Sequence, residues 1–257
     1  MASALVSTGC VPTQIHKFRM TVSEAPEVHG ANTNQKQNSG TWRFTGKVNY
    51  NYEAKEIISE DIHRPMDFDE MFDGDKLKFD DAAYKMGGLD FTAKVDYLRK
   101  TQYFVYGLGA GYKDGFFNHL LFGWNFSHFE FGGFAGLYTQ FNEVEYEGVV
   151  LDDDEDGTTQ KIHEKDNHTG TSFFAGAYAG LYLEKLFFNY SVSTYLPPTI
   201  TIANKLELNV PRITSHYFTV GYRINQWVEI TAGGIFTDID TDGGANGGYT
   251  AGVSLYL

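Results

Sequence analysis

A chain of 257 residues with 42% hydrophobic content and a mean hydropathy of −0.32 is long enough for one large domain. It contains no apolar run of the eighteen or so residues that a transmembrane helix needs. A net charge of −13 with no basic stripe excludes a nucleic-acid partner, and a single cysteine excludes an internal disulfide framework. The 17 Tyr, 21 Phe and 28 Gly, against only 6 Pro, are the composition of many strands and few helices.

In chain order, residues 1–10 ("MASALVSTGC") place Ser7, Thr8 and Gly9 before Cys10, after a short apolar stretch. This resembles the end of a truncated bacterial lipoprotein signal, which implies lipidation at Cys10. Residues 11–39 are polar, turn-rich and without periodicity, and are expected to be a disordered periplasmic linker. From residue 40 to 257 the pattern changes to period two. In "TWRFTGKVNYNY", Trp42, Phe44, Val48, Tyr50 and Tyr52 share one face, and Arg43, Lys47, Asn49 and Asn51 the other. "GGLDFTAKVDYL" repeats this, with Leu89, Phe91, Val95 and Tyr97 opposing Asp90, Lys94 and Asp96.

Eight further strands are expected near 102–112, 116–126, 129–141, 172–183, 186–195, 214–224, 227–237 and 248–257. Many run to about ten to twelve residues, the length of a tilted strand crossing a bilayer of about 30 Å. The connections alternate in length. Those near 99–101, 126–128, 184–185 and 225–226 are tight; those at 53–83, 148–170, 196–213 and 239–247 are longer. The exception among the odd-numbered connections is the short Lys113-Asp114-Gly115 turn. Segregation of loop length by parity is the mark of an antiparallel up-and-down transmembrane β-barrel with both barrel ends on one side. The expected fold class is therefore all-β, with about 10 strands (8–12).

On this pattern the chain is similar to the small outer-membrane barrels of Gram-negative bacteria, such as OmpA-type domains, the ten-stranded adhesin OpcA and the omptin proteases. The last strand, "GGYTAGVSLYL", resembles their C-terminal assembly signal but ends on Leu257 where Phe is usual. The resemblance implies outer-membrane lipid and lipopolysaccharide as surroundings, long loops outside and termini in the periplasm. The aromatic-rich apolar face is expected to meet lipid. The polar face is then a lumen whose charges balance: Arg43, Lys47, Lys94 and Arg223 against Asp90, Asp96, Glu130 and Glu229. A plugged or narrow lumen is expected, since open aqueous pores use many more strands.

Two loops carry the spacing of a calcium loop. Asp152, Asp154 and Asp156 precede Gly157, and Asp238, Asp240 and Asp242 precede Gly243. Position 12 is His163 in the first and Tyr249 in the second, so neither is an EF-hand, and weak extracellular Ca2+ binding is the expectation. An omptin-like site would draw on Asp67 and Asp69 with His163 or His168, and a lipid-modifying one on Ser127, His128 and Glu130; no enzymatic activity is expected. Three functional readings remain, the loop-sited, omptin-like hydrolase being the last of them. One is a non-enzymatic barrel whose acidic loops or linker contact a protein partner in surface interaction or envelope assembly. Another is a small-solute, porin-like channel.

Overall fold

The computed structural model describes residues 14–30, 39–57, 81–151, 159–202, 206–208, 210–239 and 246–257. Ten antiparallel strands close into a barrel: β2 (Ser39–Ile57), β3 (Asp81–Lys100), β4 (Phe104–Tyr112), β5 (Gly115–Asn125), β6 (Phe129–Leu151), β7 (Thr159–Leu183), β8 (Leu186–Tyr195), β11 (Ile213–Arg223), β12 (Val228–Ile239) and β13 (Asn246–Tyr256). Each pairs with the next in this order, and β13 closes on β2 from Gly248↔Asn51 to Tyr256↔Arg43. Closure gives every barrel strand a neighbour on each side, as a spanning sheet requires. A small hairpin of β9 (Ile200–Ile202) and β10 (Leu206–Leu208) occupies the connection between β8 and β11.

The period-two alternation resolves as expected. Leu89, Phe91, Leu108, Leu120, Phe173, Val220 and Val253 are exposed on the outer wall, while Arg43, Lys47, Asp96 and Glu130 are buried inside. Aromatic side chains form two belts. Trp42–Tyr97 and Trp124–Phe131, with centroids 5.1 and 5.3 Å apart, lie at the short-turn end. Tyr112–Phe116 and Tyr52–Tyr249, at 5.4 and 5.8 Å, lie toward the long loops. An apolar band between aromatic belts, wrapped around a charged interior, defines a transmembrane barrel. The short Lys113–Gly115 turn works because Asp114 takes φ 46° and Gly115 φ 154°.

The structure departs from the expected pattern above the barrel and inside it. The expected loop 148–170 is largely strand, since β6 and β7 pair out to Leu151↔Thr159. The reason is a further strand, β1 (Gln14–Thr21), in the segment expected to be a disordered linker. It runs parallel to β3 (Lys17↔Asp81 to Thr21↔Lys85) and antiparallel to β6 (Gln14↔Val149 to Met20↔Val144). β1 thus fills the wall above the short β4–β5 hairpin, and its Phe18 and Met20 join Val144 and Tyr146 in one buried cluster. Past Thr21 the chain turns inward. Val22–Gly30 are all buried and run down the lumen toward the short-turn end, where β2 begins. β1 itself starts at the long-loop end, where Gln14 lies opposite Val149.

Candidate functional site: a lumen filled by the chain's own segment

The lumen has two unlike walls. β4–β7 present glycine and aromatic residues, and the rings lie where side chains are missing. A Cβ on Gly176 would clash with Phe134 Cζ, and one on Gly111 would meet Phe117 Cζ at 2.5 Å. Val22, Ala25 and Val28 belong to the same buried cluster as Phe117, Phe134, Phe174 and Tyr178.

β2, β3, β8 and β11 present donors and charges, and these hold the backbone of the segment. Tyr195 donates to the carbonyl of Ser23 (2.7 Å), Tyr217 to Ala25 (2.5 Å), Lys94 to Glu27 (3.2 Å) and Ser191 to Val28 (2.8 Å). Arg43 donates to the carbonyls of His29 (2.8 Å) and Gly30 (2.6 Å), and the Ala25 amide donates to Ser215 Oγ (3.0 Å). An extended chain in a lumen has no ladder partner, so wall side chains must satisfy its carbonyls. Side-chain ion pairs complete the seal: Glu27 with Lys47 at 2.5 Å and Glu24 with Lys113 at 2.7 Å, with Asn51 also donating to Glu24.

All eight lumen charges expected from the sequence face inward. Arg43 and Asp96 form a fully buried pair at 2.7 Å, with His119 on the other Asp96 oxygen at 3.3 Å. Arg223 pairs with Glu229 at 3.4 Å, and Glu229 also accepts from Tyr256 at 2.6 Å. Asp90 accepts from Asn49 at 2.5 Å and lies 4.0 Å from Lys113. Glu130 is buried against Tyr178, and a Cβ on Gly30 would clash with its carboxylate. Lys47 and Lys94 also face inward, but their partner is the segment. Sequence reasoning misses Lys113, which reads as a turn residue, together with Glu24 and Glu27; the signal available is an E-x-x-E pair in an otherwise small and apolar stretch.

Where the chain enters the lumen, the wall is interrupted. β3 pairs with β1 down to Lys85 and with β4 only from Ala93, so Met86–Thr92 has no ladder partner on that edge among the described residues. A bulge between Asn51 and Ala54 lies opposite, and Gly87 and Gly88 take φ of 124° and 107°, which side chains rarely adopt. A cavity of about 310 Å³ opens there, with Glu24, Asn51, Asp90 and Asp114 on its inner side and Leu89, Tyr112 and Phe141 on its outer side. Unpaired strand backbone is costly in hydrocarbon, so this notch belongs to the wet upper rim. A larger hollow of about 870 Å³ over Gly133 and Ala135 is rimmed by Leu120, Phe122, Leu137 and Phe173 on the outer wall, and it is a dip in the apolar band.

Of the expected calcium ligands, Asp152, Asp154, Asp156, Asp240 and Asp242 lie outside the described residues, as does Cys10. Asp238 is exposed on β12 beside Thr214. Among the described residues the grouping with metal-ligand spacing is Glu145, Glu147 and His163, above the upper belt. The Lys17 ammonium already binds both carboxylates there, at 2.8 and 2.7 Å. Its hydrogen bonds hold the two carboxyls below the usual carboxylate range and raise Lys17 itself. Of the hydrolase candidates, Asp67 and Asp69 lie outside the described residues. His168 sits beside Asp166 at 3.7 Å on β7, and His128 is exposed at a turn while Glu130 points into the lumen.

These features define a transmembrane β-barrel closed from within by its own N-terminal segment. No protein-family model and no curated protein matches the chain. Solved structures overlay on it, among them two of one transporter. The P. putida toluene transporter TodX is 9% identical, covering 88% of this chain and 92% of that one, with a TM-score of 0.32. A TodX monoaromatic hydrocarbon channel mutant is also 9% identical, covering 86% and 90%, at the same TM-score. An overlap so loose is one between β-barrels and carries no argument about substrate.

Proposed function

We propose that the protein is an outer-membrane channel for small solutes, closed at rest by Val22–Gly30, with the long loops outside. The observation that supports this is the nature of the filling. A barrel of about eight strands fills its interior with wall side chains. Here the lumen is filled by a separate stretch of chain, held through hydrogen bonds to its carbonyls and two ion pairs. Such contacts exchange for water, and the apolar contacts of the segment are made by only three small side chains, Val22, Ala25 and Val28. The reading of a surface or assembly barrel rests on acidic loop residues outside the described set and has no comparable support.

Planar-bilayer recording tests the proposal. The wild type is expected to be silent apart from rare openings. The full-length Glu24→Gln/Glu27→Gln variant, which loses both ion pairs, is expected to open frequently. A steady ohmic current from the wild type overturns the closed lumen. A variant as silent as the wild type favours the surface barrel.

A further inference from the structure

We infer that the solute is a small anion bearing carboxylates, and that Glu24 and Glu27 occupy its place in the closed state. This rests on the channel reading above. The charges of the wall divide into two sets. Arg43 with Asp96, and Arg223 with Glu229, are pairs that the wall makes within itself. Lys47 and Lys94 are different: among the described residues, no wall carboxylate lies within ion-pair distance of either, and Lys47 is matched by Glu27 at 2.5 Å. Lys113 is matched by Glu24 at 2.7 Å, with Asp90 only at 4.0 Å.

Withdrawing the segment therefore removes two negative charges and exposes three lysines along β2, β3 and the β4–β5 turn. It also frees a row of donors, since Tyr195, Tyr217, Ser191 and Lys94 now give their protons to its carbonyls. A narrow, low-dielectric lumen lined by lysines and hydroxyl donors attracts ligands that are negative and rich in acceptor oxygens. The aromatic wall opposite supplies van der Waals contact along its length, and its carboxylates stand at the two ends, Asp114 at the upper turn, where it accepts from Ser23 at 3.2 Å, and Glu130 at the short-turn end. The segment thus mimics its own solute, and solute and segment compete for the same lysines.

The test uses the full-length Glu24→Gln/Glu27→Gln variant in planar bilayers under a potassium chloride gradient, after heat-modifiable gel migration has confirmed the barrel. The reversal potential is expected to shift toward the chloride equilibrium potential, and succinate added to one chamber is expected to block the current. Lys47→Gln/Lys94→Gln in the same background is expected to abolish both effects. A cation-selective or unselective current that succinate leaves unchanged overturns the anion assignment while leaving the channel standing. Absence of current from every variant removes both. Should the double variant not form the barrel, the single Glu24→Gln and Glu27→Gln variants, each retaining one ion pair, replace it, and the same outcomes support or overturn the assignment.

Discussion

The two inner walls hold the same segment by different physics. β2, β3, β8 and β11 grip it through directed hydrogen bonds and ion pairs, most of them at full burial. β4–β7 hold it by shape below the β4–β5 turn, where Lys113 pairs with Glu24, with rings seated over glycines against Ala25 and Val28. Directed contacts with buried charge are all-or-none, because a partner left behind keeps its desolvation penalty. Shape contacts fail by degrees. The polar wall should therefore govern gating, and the aromatic wall general stability.

Arg43→Ala should have the largest effect. It leaves Asp96 buried without its guanidinium and strips two carbonyls of their donor, at a cost of about 3–5 kcal/mol. Denaturant unfolding in detergent measures this, and the variant should also open in bilayers. A loss below about 1 kcal/mol, the range of an exposed pair, would remove the polar wall from its role. Gly176→Val comes next. Its Cβ would clash with Phe134 and the Val192 carbonyl, an overpacking that costs about 1–3 kcal/mol. Its unfolding midpoint should fall while the bilayer record stays silent; frequent openings would erase the distinction between the walls.

The smallest effect is at the rim. Glu145 and Glu147 are held below the ordinary carboxyl value of 4.5 by Lys17, so their support for β1 is present above that value and lost as pH falls through their folded values. Lys17 is raised above 10.5, so its share is present below that value and lost as pH rises beyond its folded one. Protease cutting within 14–21 should increase under acid and stay constant between about pH 6 and 9. Cutting that does not change on acidification would show that the ladder to β3 and β6 alone secures β1.

The same contrast separates what the sequence announced from what it withheld. The ten barrel strands and the inward position of Arg43, Lys94, Asp96 and Glu229 follow from strict period-two alternation, which every membrane strand must obey. The segment leaves no such mark. Ser23–Gly30 is neither strand nor helix, and its conformation is set by side chains of four distant strands binding its carbonyls, a pattern without period in its own residues. β1 was hidden for a related reason. Its alternation of Lys17, Phe18, Arg19 and Met20 spans too few residues to stand out, and it becomes a strand because β3 and β6 leave a gap above the short hairpin. Lys113 has the look of turn chemistry beside Asp114-Gly115, and only the segment gives it a partner.

The most direct test of the central claim is to lock the segment to the wall. Ala25 and Ser215 are in contact, the Ala25 amide donating to Ser215 Oγ at 3.0 Å. Ala25→Cys and Ser215→Cys are placed in the Glu24→Gln/Glu27→Gln background, with Cys10→Ser to remove the native thiol. The disulfide is expected to form in the assembled barrel and to keep the bilayer silent until a reductant restores openings. A disulfide that forms and leaves the openings unchanged would show that the current does not pass through the space that Val22–Gly30 fills, and would contradict the account.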